Sequence, residues 1–172
     1  MDLPDGQHFR FAELAAYKRL SGQHIKEMDF AWAADGKLYM LEVRSYAQIG
    51  STLAGADLVA AKGAAKPHRY EALIDKITDS LLMLLAAWAD TGTGQTIKAD
   101  LPAVARARLP LKLIVALELP ANLSVHLPAL RDSLNERLRG RMALADVRNV
   151  AVVDHARLLV NPLFSAFIKA QT

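Results

Sequence analysis

Glu27, Asp29, Glu42 and Arg44 are the residues of this sequence whose types and spacing point most directly to chemistry. They lie in a stretch whose apolar side chains alternate, through Met28, Phe30 and Trp32 and again through Tyr39, Leu41 and Val43, with Asp35-Gly36 between the two runs. Asp-Gly flanked by such runs is a strong hairpin signal, because both central residues of the tight turn need a positive φ. With Asp35 and Gly36 at the centre, Ala34 faces Lys37. Asp29 is then expected opposite Glu42, and Glu27 opposite Arg44. The alternation predicts that these four project from one side, beside Ala31, Ala33, Leu38 and Met40, and form the edge of a cleft. Met28, Phe30, Trp32, Tyr39, Leu41 and Val43 are expected to cover the opposite side as core. Two carboxylates facing each other across a ladder repel unless a cation or a proton lies between them. Mg2+ or Mn2+ suits such a place, since magnesium takes oxygen ligands at about 2.1 Å and commonly binds through one or two carboxylates plus waters and phosphate. The competing reading is a structural ion network in which Arg44 bridges Asp29, Glu42 and Glu27.

Other residue groups narrow the choice. The chain has no cysteine, which excludes disulfides, thiolate zinc sites and a cysteine nucleophile. The histidines show no i, i+4 pair of the zinc-binding kind. Asp154-His155 follows a predicted strand, yet no motif places a nucleophilic serine for a hydrolase triad. Gly92-Thr93-Gly94 lacks the further glycines or the Lys-Ser/Thr ending of a phosphate loop. The net charge of +3 tilts weakly toward polyanionic partners. Cations gather in two segments, Lys62, Lys66, His68 and Arg69 in one, Arg106, Arg108 and Lys112 in the other. The first follows the hairpin directly and is the candidate nucleic-acid contact; solvated surface patches are the alternative for both. Trp32 and Trp88 sit on apolar stripes and are expected in the core rather than stacked on bases.

The elements that must position these residues follow from periodicity. Helical spacing from His8 to Leu20, stopped by Ser21-Gly22, predicts a first helix, followed by the hairpin within Ile25 to Tyr46. Ala47 to Lys66, rich in Ala and Gly, reads as a loop with at most one short helix. Pro67 to Asp90 carries a broad apolar stripe and predicts a long helix. Gly92 to Arg108 reads as a polar connection, Leu111 to Leu117 as a buried strand, Pro128 to Leu138 as an amphipathic helix ended by Gly140. Val147 to Asp154 reads as a strand and Pro162 to Ala170 as a terminal helix. A hairpin followed by strands that each arrive after a helix predicts an α/β fold, a mixed sheet with an antiparallel hairpin, flanked by helices. At 172 residues, 52% hydrophobic and 23% charged, one domain over residues 1–172 is expected. The N-terminus has no basic region followed by an apolar core, and the densest apolar run, Leu81 to Ala89, is too short to span a bilayer. A soluble, cytoplasmic protein without a membrane partner is expected.

The strings Met28-Asp29-Phe30-Ala31-Trp32 and Leu38-Tyr39-Met40-Leu41-Glu42-Val43-Arg44, joined by Asp35-Gly36-Lys37, resemble the D-(x)n-E-x-K core of the PD-(D/E)xK, or restriction-endonuclease-like, nuclease superfamily. The resemblance implies an αβββαβ-like core, here with a further C-terminal strand and helices. It also implies metal-dependent phosphodiester hydrolysis with Asp29 and Glu42 as magnesium ligands, Glu13 on the first helix as an additional acid, and DNA as the partner. Arg44 stands where the motif has lysine. An arginine stays protonated and cannot act as a base, but its planar fork holds phosphate in two contacts. The expected roles are thus Asp29, Glu42 and Arg44 in catalysis and Lys62, Lys66, His68 and Arg69 on nucleic acid. A catalytically inactive module that binds nucleic acid or serves in assembly is the alternative, and a homodimer is left open.

Overall fold

In the computed structural model, which describes residues 8–46, 54–58 and 67–160, the hairpin forms in the expected register. Asp35 and Gly36 take φ of 49° and 67°, the left-handed pair that a two-residue turn between twisted strands requires. Strands β2 (Phe30–Ala34) and β3 (Lys37–Ser45) pair antiparallel from Ala34 with Lys37 to Phe30 with Leu41. The ladder ends there, and Asp29, at the bend before β2, accepts from the Val43 amide next to Glu42.

The sheet has five strands in sequential order, β1 (His8–Phe9), β2, β3, β4 (Leu111–Glu118) and β5 (Val150–Asp154). The first two pairings are antiparallel and the last two parallel. Parallel neighbours need a crossover, and helices supply both. Between β3 and β4 run α2 (Gly55–Leu58), α3 (His68–Trp88) and α4 (Gly92–Asp100), and between β4 and β5 runs α5 (Leu127–Leu144). The α/β mixed sheet expected from the sequence is therefore the architecture.

Several boundaries differ. The first predicted helix is split: His8 and Phe9 add an edge strand against Trp32 and Ala31, a 3-10 turn covers Phe11–Glu13, and only Ala15–Leu20 (α1) is α-helical. The polar connection after α3 contains α4, capped by the Thr91 side chain, which accepts from the Gly94 amide. Gly94 is required there, because a Cβ would stand 2.0 Å from the Ala86 carbonyl oxygen of α3. Gly140 does not end α5, which continues to Leu144 because Met142 is buried one turn on. A short helix α6 (His155–Val160) follows β5 directly, and the terminal helix predicted for Pro162 to Ala170 lies outside the described residues.

The larger core lies on the sheet face where Ala31, Leu38, Met40, Leu113, Val115 and Val150 meet α3, α4 and α5. This corrects the expected assignment of faces. The side carrying Glu42 is not a cleft edge but the principal core face, because the long amphipathic helices pack on it. Met28 belongs to this core as well, since regular alternation starts only at Phe30. The opposite face holds a smaller cluster of Trp32, Leu41, Ile114 and Ala116 with Leu158 of α6, and Trp32 stacks on its cross-strand partner Tyr39 at 5.2 Å. Both tryptophans pack as the apolar stripes predict, Trp88 donating its indole N–H to the Ala105 carbonyl.

Candidate functional site

Asp29 sits at the bend leading into β2, held from three directions. Its Oδ2 accepts from the Val43 amide at 2.9 Å, its carbonyl accepts from Arg10 Nε at 3.1 Å, and the preceding Met28 amide donates to the buried Ser80 Oγ of α3 at 2.8 Å. The same helix holds Lys26, whose amide donates to Asp79 and whose ammonium pairs with Asp75. The 25–29 segment is thus moored to α3 by polar contacts.

From that helix Lys76 reaches between the two carboxylates. Its Nζ stands 3.1 Å from Asp29 Oδ1 and 3.1 Å from Glu42 Oε2, with Glu42 Oε1 at 2.9 Å. Arg44, two residues along β3 on the same face, brings Nε to 2.7 Å from Glu42 Oε1. Neither cation is aligned to donate a hydrogen bond to that oxygen, so Oε1 is buried beside two positive charges with a free lone pair. Exposure falls inward: Arg44 40%, Asp29 24%, Lys76 15% and Glu42 0%.

Burial sets the charge state. The Glu42 carboxyl is pushed up to about 7, first by desolvation and next by the neighbouring Asp29 charge, against which Lys76 and Arg44 pull it down. Tyr46, at the end of the same strand, has its hydroxyl raised by burial, and the Arg69 guanidinium lies 6.0 Å from its ring centre.

The structure brings together Asp29, Glu42 and Arg44 as expected and adds Lys76, which sequence reasoning missed. Glu27 does not join them. It lies ahead of the ladder, and its carboxylate accepts from the Tyr17 hydroxyl, so the expected partnership with Arg44 is replaced by one with α1. Glu13 is on the 3-10 turn with a side chain 65% exposed and pairs with Arg10. Among the described residues no group of three or more His, Asp or Glu side chains could hold a metal, so Glu13 does not complete a triad with Asp29 and Glu42. His68 and Arg69 are exposed at the start of α3, while Lys62 and Lys66 lie outside the described residues.

A two-carboxylate donor set remains. Asp29 Oδ1 and Glu42 Oε2 converge on one locus that already holds a cationic group, and Glu42 Oε1 has acceptor capacity to spare. Oxygen donors of this kind fit a hard divalent cation that completes its shell with water and phosphate. The chain matches no family model, and no curated protein or solved structure is significantly similar to it. Among the described residues no helix is long and apolar enough to cross a membrane.

Proposed function

We propose that this chain is a divalent-metal-dependent phosphodiesterase of the PD-(D/E)xK type acting on DNA, in a cytoplasmic setting. The observation that carries the reading is the convergence of Asp29, at the entry to β2, and Glu42 of β3 on the Lys76 ammonium. Asp29 and Glu42 are the residues that would hold Mg2+ or Mn2+; such an ion, when bound, lowers the pKa of its water and offsets charge on phosphate. Lys76 supplies from a helix the ammonium that the hairpin lacks at position 44. A buried ammonium aimed at developing phosphate charge acts with little solvent screening. Arg44, the most exposed of the four, is placed to grip a phosphate from the rim, and Arg69 extends that rim along α3.

A second reading rests on the closed charge balance. Two cations already meet the two carboxylates, and Glu42 has no exposure. In this reading the domain keeps the fold as a non-cleaving module for nucleic acid or assembly, and the four residues are a structural lock.

Labelled single- and double-stranded DNA incubated with purified protein and Mg2+ or Mn2+ separates the two. The nuclease reading expects cleavage that falls at least about 100-fold in Asp29→Asn and Glu42→Gln, the scale on which removing one catalytic group acts. No cleavage by the wild type, with identical Mn2+ titrations for wild type and Glu42→Gln, establishes the lock instead.

A further inference from the structure

The second basic segment has no part in the carboxylate site, and the topology carries it to the other end of the sheet. β3, β4 and β5 run parallel, and their N-terminal ends lie side by side: Leu38 pairs with Leu111, and Leu113 with Val150. Lys37, Arg108, Lys112 and Arg148 all fall at or just before these starts. The crossover helix α5 returns toward the same end, so its last turns add Arg139 and Arg141. Glu42 lies five residues along β3 from Lys37, about 17 Å at the rise of a strand.

Charge at this end is mainly positive. Six cations, Lys37, Arg108, Lys112, Arg139, Arg141 and Arg148, stand with four acids, Asp35, Asp146, Glu136 and Asp132, and Asp146 is engaged by Arg108. Among the described residues no ion pair engages Lys112, Arg139, Arg141 or Arg148, and all four are exposed. Arg139 and Arg148 open onto one cleft of about 550 Å³ with Asn135 and Asn149; its acids, Glu136 and Asp132, lie one and two turns further up α5. Asp132 is paired with Arg131 at 2.8 Å.

We infer that this end of the sheet, centred on Arg139, Arg141 and Arg148, is a sequence-independent docking surface for the phosphate backbone of duplex DNA, separate from the carboxylate site. Arginine dominates the surface, and its planar fork matches phosphate oxygens in a way that a lysine surface does not. Duplex DNA presents about one charge per 1.7 Å of axis, so even the two strand spacings between Lys37 and Arg148, roughly 10 Å, face several phosphates. An anionic membrane fits less well, because Leu144 is the one strongly exposed large apolar residue on the last turns of α5, where insertion calls for an apolar and aromatic face. The inference does not depend on cleavage.

The test is fluorescence anisotropy of a labelled 30-base-pair duplex over a salt series, without divalent metal, for wild type, Arg139→Gln/Arg141→Gln/Arg148→Gln and Arg19→Gln. Vesicles of phosphatidylserine and phosphatidylcholine form a second arm. The triple variant should weaken binding at least about tenfold at low salt and reduce the slope of log K against log salt by up to about 2.7, three lost contacts at about 0.9 each. Arg19→Gln, which removes an exposed cation from α1, should bind as wild type, and circular dichroism should show the triple variant folded. The inference is overturned if wild type does not bind the duplex saturably, if the triple variant keeps its affinity and slope, or if wild type prefers the vesicles. Cleavage is not read in this assay, so a protein that binds the duplex through this surface without cutting it leaves the inference standing, and it fails or holds separately from the nuclease reading.

Discussion

Lys76 and Glu42 form an ion pair of 2.9 Å in which the carboxylate has no exposure and the ammonium also reaches Asp29. One helix residue thereby reconciles two acids that the hairpin register forces together. Removing one partner of such a pair leaves a buried charge uncompensated, which costs more than the pair itself contributes. Lys76→Met is expected to destabilise the protein by about 3 kcal/mol at pH 8. Urea unfolding measures it, and adding Glu42→Gln should restore most of the loss; a double variant no more stable than Lys76→Met shows that packing, not charge, is at stake.

Glu42 gives stability a pH dependence of definite sign. Its folded-state carboxyl is raised to about 7 from an ordinary value of 4.5. The folded form therefore binds the proton more tightly, so the contribution is fully present below the unfolded value and is lost as pH rises through the folded one. Relative to Glu42→Gln, wild type should lose about 3 kcal/mol between pH 4.5 and pH 8. Unfolding free energies of both proteins across that range give the difference directly. A flat difference means that Lys76 and Arg44 hold Glu42 ionised throughout.

How much of this was legible depended on the distance between partners. The register was readable because Asp35-Gly36 fixes a local turn, and every pairing through Phe30 with Leu41 follows from it. Lys76 was not, since it lies 34 residues from Glu42 on another element. A faint signal existed: Ser80 is a polar residue in the middle of the apolar stripe of α3, and Asp75, Lys76 and Asp79 flank that stripe, the pattern of a helix that holds something polar. The direction of the core was misread because both sheet faces are apolar and only helix packing decides which receives the larger cover. The helix α4 was hidden by Gly92-Thr93-Gly94, which are poor helix formers, and it is held by tertiary contacts at Ile97 and by the close approach at Gly94.

That close approach has a measurable consequence. Gly94→Ala places a methyl against the Ala86 backbone oxygen, which cannot swing aside as a side chain would. Helices α3 and α4 must separate, with a cost of about 1–3 kcal/mol typical of overpacking, despite the better helix propensity of alanine. Thermal denaturation should show a lower Tm; a raised Tm means that propensity outweighs the clash.

Ser80 links the core to the site. Its hydroxyl is fully buried and accepts the Met28 amide at 2.8 Å, one residue before Asp29. Ser80→Ala leaves that amide without a partner, a loss of about 1–3 kcal/mol. It should also loosen the strand entry, so hydrogen exchange at Met28 and Asp29 should quicken while the α5 amides stay protected. Uniform acceleration across the domain points to global destabilisation alone.

Arg44 and Lys76 differ in depth, and the difference sorts their roles. Arg44 is 40% exposed and among the described residues its ion pair is with Glu42, whereas Lys76 is 15% exposed and pairs with both carboxylates. A rim guanidinium that grips phosphate before and during reaction contributes uniform binding, which appears in KM and not in kcat. An enclosed ammonium facing developing charge contributes selectively to the transition state. With DNA as substrate, Arg44→Ala should raise KM roughly tenfold with kcat nearly unchanged, and Lys76→Met should lower kcat at least about 100-fold. Steady-state kinetics on a short labelled duplex tells them apart. Should Lys76→Met change KM alone, the ammonium is a binding group like Arg44, and the assignment of a reacting locus to the space between Asp29 and Glu42 is wrong.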